Sequence, residues 1–269
     1  NELLRGMKDS LSKINALFKK KPFRIEKDAM RDSSLQVEEV GAIDDFVFIS
    51  DPAKLMLENA MAIAAYDCNV VIEGEPGVGK DKLLDFLHKN SSRKLYPCVK
   101  VSCSSLDENR LEEAFLGTNA GQKGYFELAQ NGILFLDDVD YLTFAAQSIL
   151  LNLLQKNTFC YIGSQEEIVA NLRVICSCET PLRKLVEQGK FREDLYYALN
   201  IYKIDIPPLR ERREDIYSLA KNFLVKYNEK YHENKEIAQT GYEKLLQYNW
   251  PGNVRELENM IHRLVVYSQ

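Results

Sequence analysis

Val70-Val71-Ile72-Glu73-Gly74-Glu75-Pro76-Gly77-Val78-Gly79-Lys80-Asp81 decides the fold. It reads as a short buried strand, a glycine loop and the first turn of a helix continuing through Leu83, Leu84, Phe86 and Leu87. Gly74, four residues, then Gly79-Lys80 is the spacing of a phosphate-binding loop. Glycines let successive backbone N–H groups turn inward into an anion nest. The helix N-terminus adds partial positive charge and Lys80 a full one, so phosphate is the expected guest. The Ser or Thr that normally follows the lysine and ligates Mg²⁺ is here Asp81.

A matching acidic strand lies downstream. Gly132-Ile133-Leu134-Phe135-Leu136-Asp137-Asp138 is an apolar run ending in two carboxylates. A buried strand with an acidic tip is what a Mg²⁺-nucleotide site needs opposite a phosphate loop. Asp137 is expected to hold the metal through water, and Asp138 to polarise the attacking water. Further strands are expected at 98–102, 172–177 and 201–206, with helices between, for example at 145–154. That alternation predicts a parallel sheet covered on both faces. Asp51 is expected to cap a helix that has Pro52 at its first position and runs to about Tyr66. After Pro207-Pro208 the apolar spacing turns helical: Ile216, Leu219, Ala220, Phe223 and Leu224, then Leu245, Val254, Leu257, Ile261 and Val265.

The expected organisation is a linker over 1–45, an α/β nucleotide-binding domain over 46–208 and a small all-α domain over 209–269. Residues 1–24 carry seven Lys/Arg against two acids, with Leu4, Met7, Leu11, Ile14 and Phe18 on a short heptad seam. That seam is either a dimerising helix, a helix packed on the body, or a frayed terminus.

The 269 residues are 45% hydrophobic and 28% charged, as in a globular protein. A net charge of −5 argues against a broad nucleic-acid surface. No apolar run is long enough to span a bilayer and no signal peptide is evident, so no membrane contact and a cytoplasmic location are expected. The first residue, Asn1, suggests an excised fragment. Six cysteines lack metal-type pairing; Cys176 and Cys178 are expected as buried neighbours on one strand face.

Phe191-Arg192-Glu193-Asp194-Leu195-Tyr196-Tyr197, Pro207-Pro208-Leu209-Arg210-Glu211-Arg212 and Trp250-Pro251-Gly252-Asn253-Val254-Arg255-Glu256-Leu257-Glu258-Asn259 resemble the AAA+ domain of NtrC-like, sigma-54-dependent bacterial enhancer-binding proteins. The likeness covers roughly residues 46–269, and Asp81 is also a habit of that family. It implies an α/β AAA+ core, a parallel five-stranded sheet between helices, a helical lid, self-association as a dimer or ring, and ATP or ADP at subunit interfaces. Members carry a regulatory domain before this module and a helix-turn-helix after it, so DNA contact is expected through a domain absent from this chain, with RNA polymerase as a further partner. Carried over by position, Gly74, Glu75, Pro76, Gly77, Val78, Gly79, Lys80 and Asp81 hold phosphates. Arg192 faces the neighbour's nucleotide, and Arg255 reaches the nucleotide from the lid; guanidinium forks suit phosphate oxygens. Salt bridges to Glu193 and Glu256 are the plainer roles for these two arginines.

The departures from that pattern bear on function. The family's contact loop contains Gly-Ala-Phe-Thr-Gly-Ala. Here only Thr118-Asn119-Ala120-Gly121-Gln122-Lys123 separates Phe115-Leu116-Gly117 from Gly124-Tyr125-Phe126-Glu127. The strand-tip glutamate is Asp138, about 1.5 Å shorter; a misplacement of ~1 Å can cost ~100-fold in rate. Ser102 and Glu179 replace two asparagines, and Ala198 replaces a second arginine. The groups that bind phosphate survive, while those that activate water or meet transition-state charge have changed. The expected function is a nucleotide-binding module of a transcription regulator with weak or no hydrolysis and no sigma-54 remodelling. An active ATPase ring working through another contact loop is the alternative, and a purely structural dimerisation module with an empty loop is a third. Guanine-type second messengers fit the same nest, and no residue selects them.

Overall fold

The inner strands of the main sheet carry apolar runs, such as 70–72 and 133–136, because both faces are covered, while the two edge strands mix apolar residues with Lys, Ser and Asp. The computed structural model describes residues 42–43, 46–119 and 121–267. The heptad seam lies outside them. A two-residue ladder pairs β1 (Ala42–Ile43) with β2 (Phe46–Val47), where linker was expected. Helix α1 (Asp51–Ala64) follows. Ser50, not Asp51, is its N-cap, and Pro52 lies in its first turn. The Ser50 hydroxyl makes no cap bond; it donates to Asp215 Oδ2 at 3.2 Å.

The sheet is parallel with strand order β4-β5-β8-β3-β9. Its members are β3 (Val70–Glu73), β4 (Cys98–Ser102), β5 (Ile133–Asp137), β8 (Arg173–Cys178) and β9 (Tyr202–Asp205). Helix α2 (Lys80–Lys89) follows the glycine loop. Short helices α3 (Leu111–Leu116) and α4 (Tyr125–Leu128) precede β5. Helix α5 (Phe144–Lys156), with Thr143 as its N-cap, leads to the small ladder of β6 (Thr158–Phe159) and β7 (Ile168–Val169). Helices α6 (Leu182–Glu187) and α7 (Glu193–Leu199) separate β8 from β9.

Alternation along each strand divides the core in two. Val71, Leu134, Leu136, Val174, Cys176 and Cys178 face Phe115, Phe126 and Leu150. Val70, Ile72, Ile133, Phe135 and Ile175 face Leu83, Leu84, Leu87 and Ala60. Cys176 and Cys178 are thus fully buried on one face, as expected, and burial pushes both thiols up. They pack as small apolar residues rather than as reactive thiols.

Three helices complete the chain: α8 (Glu214–Tyr231), α9 (Gln239–Gln247) and α10 (Asn253–Tyr267). They share a core around Trp250, which is fully buried and donates its indole N–H to Leu245 O at 2.8 Å. Asp215 ties this bundle to the start of α1. Fully buried, it accepts from Ile49 N at 2.7 Å and Ser50 N at 2.8 Å.

Between α3 and α4 the chain makes a tight hairpin. Gly117 bridges Lys123, and Thr118 N donates to Gln122 O at 2.9 Å. Gly117 has φ +74°, and a Cβ there would lie 2.5 Å from Gln122 O, so the turn requires glycine.

Candidate functional site

The parallel register aligns the C-terminal ends of the strands, placing Ser102 beside Asp137 and Glu73 beside Cys178. Ligands of open α/β sheets bind at this edge. The glycine loop leaves β3 here. Gly77 has φ +75° and Gly79 φ +109°, conformations L-side chains rarely adopt. Gly79 caps α2, whose first N–H groups lack partners within the helix. The Lys80 ammonium bonds Gly74 O at 3.2 Å and lies 3.7 Å from Asp138 Oδ1 and 3.8 Å from Glu179 Oε1.

The acidic tip is built across two strands. Ser177 on β8 donates its hydroxyl to Asp137 Oδ1 and accepts the Asp138 N–H at 3.0 Å. Asp138 adopts φ +56°, turning the chain out of β5. Burial and then the charge of Asp137 push its carboxyl up, against the pull of Lys80. Asp81 lines the site, but its Oδ1 lies 3.8 Å from the ammonium of Lys100, which also bonds Asp85 at 2.9 Å. Ser102 Oγ pairs with Ser104 Oγ at 3.1 Å.

The helical bundle grips the loop from the other side. Gly77 O accepts the N–H groups of Val254 at 3.0 Å and Arg255 at 3.3 Å, from the first turn of α10. A Cβ on Gly77 would lie 2.5 Å from Gly252 O, so this close approach also needs glycine. Asn253 is fully buried, accepts Leu209 N at 2.8 Å, and donates to Glu75 Oε2 at 3.1 Å and Pro76 O at 3.0 Å. Arg210 forks onto Glu75 at 2.6 and 2.8 Å, holding that carboxyl below the usual glutamate range. Arg212 donates to Val78 O at 2.7 Å; its buried Nε has no partner among the described residues. Burial lowers the Arg212 pKa.

Loop and bundle enclose a cavity of about 800 Å³. Gly77, Val78, Gly79, Lys80 and Asp81 line it, with Asp137, Asp138, Glu179, Arg212, Phe223 and Arg255. Gly74 contributes its carbonyl to Lys80 from beneath, while Glu75 and Pro76 face the bundle. Arg192 lies outside the cavity lining, forked onto Asp194 at 2.8 and 3.0 Å and donating to Ser148 Oγ at 3.2 Å. Its ion partner is therefore Asp194 rather than Glu193. Glu256 takes Gly252 N and Tyr248 Oη. Ser177, Asn253 and Arg212 have no role in the sequence reading; the motifs containing Asn253 and Arg212 were its only signal.

No group of three or more His, Cys, Asp or Glu among the described residues could hold a metal by itself. Asp137 and Asp138 fit a hard cation that takes its other oxygens from phosphate and water, the usual Mg²⁺ arrangement.

The sigma-54 interaction domain model matches residues 47–205, and the AAA+ ATPase lid domain model matches 210–269. The chain belongs to the sigma-54 interaction domain family. The nitrogen fixation protein AnfA of Azotobacter vinelandii is 38% identical over 228 residues, 81% of this chain and 43% of that protein. The regulatory protein AtoC of Escherichia coli is 37% identical over 232 residues, 82% of this chain and 50% of its own length. This family module spans about half the length of the curated relatives it matches. Among solved structures, NtrX of Brucella abortus in complex with ATP is 30% identical with a TM-score of 0.79, covering 83% of this chain and 53% of NtrX. NtrX has also been solved with ADP, at a TM-score of 0.78. The five-stranded α/β core with its helical lid is the AAA+ fold.

Proposed function

We propose that this chain is the nucleotide-binding module of a bacterial transcription regulator, taking ADP or ATP as an assembly or signalling ligand. It hydrolyses ATP slowly or not at all and does not remodel sigma-54 holoenzyme. The observation that carries this reading is the surroundings of Lys80. Its ammonium has the shortened acid Asp138 at 3.7 Å and the acid Glu179 at 3.8 Å. A water-activating glutamate and a neutral amide hold those positions in the family.

The residues that grip phosphate are in place: the glycine nest, Lys80 at the start of α2, and Arg255 on the cavity wall. Mg²⁺ would sit on Asp137 with phosphate oxygens and lend its charge to the tail. NtrX, solved with ADP and with ATP, supports nucleotide as the guest. The Gly117–Lys123 bridge and the short sequence it closes support the reading that the family's contact loop is missing, and so argue against a pull on sigma-54. Self-association as a dimer or ring, and contact with RNA polymerase, follow from the family. DNA contact would come from a domain outside this chain.

A calorimetric titration of the folded protein tests nucleotide binding. Micromolar or tighter Kd for ADP or Mg²⁺-ATP is expected; no heat and no thermal shift with any nucleotide would leave a structural module with an empty loop.

One observation favours a second reading, a working ATPase ring. The Arg192 side chain is 38% exposed, which supports the role the resemblance gives it toward a neighbouring subunit's nucleotide. Turnover separates the two readings.

A further inference from the structure

We propose that Glu179 makes this pocket select nucleoside diphosphate over triphosphate. The inference rests on the nucleotide reading above and names which nucleotide that site keeps.

The lysine of a phosphate loop reaches the β- and γ-phosphates. Groups within 4 Å of its ammonium therefore stand beside the outer end of the phosphate tail. Besides the Gly74 carbonyl beneath it, the charged groups there among the described residues are Asp138 Oδ1 at 3.7 Å and Glu179 Oε1 at 3.8 Å, while the Lys80 side chain is only 10% exposed. Glu179 lines the cavity, and among the described residues the cation within salt-bridge distance of it is Lys80 itself. A β-phosphate has the glycine nest and the first turn of α2 to meet its charge. A γ-phosphate projects beyond that shelter, adds negative charge beside Glu179, and competes with two carboxylates for the Lys80 ammonium. Like charges a few ångströms apart in a partly desolvated cavity weaken binding by about tenfold or more. The penalty falls on the triphosphate, because the diphosphate ends short of it.

Asp137 has one oxygen bonded to the Ser177 hydroxyl, and Asp81 lies nearer Lys100, so Asp138 and Glu179 are the acids paired with Lys80 among the described residues. The neutral isostere Glu179→Gln keeps the side chain's length and removes only its charge. The position is half-buried at the end of β8, outside the three apolar clusters, so the variant is expected to fold.

The test is calorimetry on the whole chain with ADP and with ATP, in EDTA and in Mg²⁺, for wild type, Glu179→Gln and Glu166→Gln. The last removes one negative charge from an exposed acid outside the cavity lining. Wild type is expected to bind ADP at least tenfold more tightly than ATP in EDTA. Glu179→Gln is expected to tighten ATP about tenfold and to move ADP by less than about threefold. Glu166→Gln is expected to change neither. Equal affinities in wild type, or a Glu179→Gln effect of the same size on both nucleotides, would overturn the inference while leaving nucleotide binding intact. Binding of neither nucleotide by the folded protein would overturn both.

Discussion

Asn253→Ala is expected to cost about 3 kcal/mol of folding stability and to loosen the phosphate loop with it. Asn253 joins three segments far apart in sequence. Its Oδ1 accepts from Leu209 N, and its Nδ2 serves Glu75 and Pro76 O. Asn253 and its bond to Leu209 N are buried, while the bonds to Glu75 and Pro76 are part-buried. Alanine would strand the buried Leu209 N–H away from water, at about 1–3 kcal/mol for such a group, and would lose the two part-buried bonds to Glu75 and Pro76. The residue also sits at φ +53°, which Asn tolerates and Ala pays about 1 kcal/mol to adopt. Asn253→Gly relieves the backbone cost but not the lost hydrogen bonds, so it should fall short of Asn253→Ala by roughly that 1 kcal/mol. Urea unfolding of the three proteins measures both quantities. A loss below about 1 kcal/mol for Asn253→Ala would mean that the lid is held elsewhere.

Lys80→Ala is expected to weaken ADP binding by about 100-fold, the ~2.7 kcal/mol of a charge-assisted contact to phosphate. The effect on folding is expected to be small. The ammonium's partners, Asp138 and Glu179, are 25% and 32% exposed, so water can take over much of its role. Calorimetry and a urea titration on one preparation separate the two quantities. Affinity within threefold of wild type would remove Lys80 from the site.

The inner strands were legible because burial on both faces leaves apolar runs such as 70–72 and 133–136, and the edge strands because apolar residues still alternate along them. The second strand lies at Cys98–Ser102, where its residues place it, and the others shift at their ends by a residue or so. The glycine spacing located the loop, and the cavity brings Asp137, Asp138 and Arg255 to it. Short helices such as Tyr125–Leu128 span too few residues to display a period. Ser177 escaped notice because its contact crosses from β8 to the tip of β5. A sequence pattern within one strand carries no trace of such a bond. Ser50 displaced Asp51 as N-cap for a similar reason: its backbone and hydroxyl are anchored on Asp215, far down the chain. Glu179 could be assigned a position by resemblance, but its approach to Lys80 depends on where β8 ends beside β3. Arg192 lies outside its own chain's cavity lining and is bonded to Asp194 and Ser148.

Steady-state phosphate release with saturating Mg²⁺-ATP, at protein concentrations where the chain self-associates, is the decisive measurement. A rate below about 0.01 s⁻¹, in a sample that calorimetry finds loaded with nucleotide, is the predicted result. Release near 1 s⁻¹ or faster, ordinary for such chemistry, would contradict the claim that this site holds a phosphate tail without cutting it.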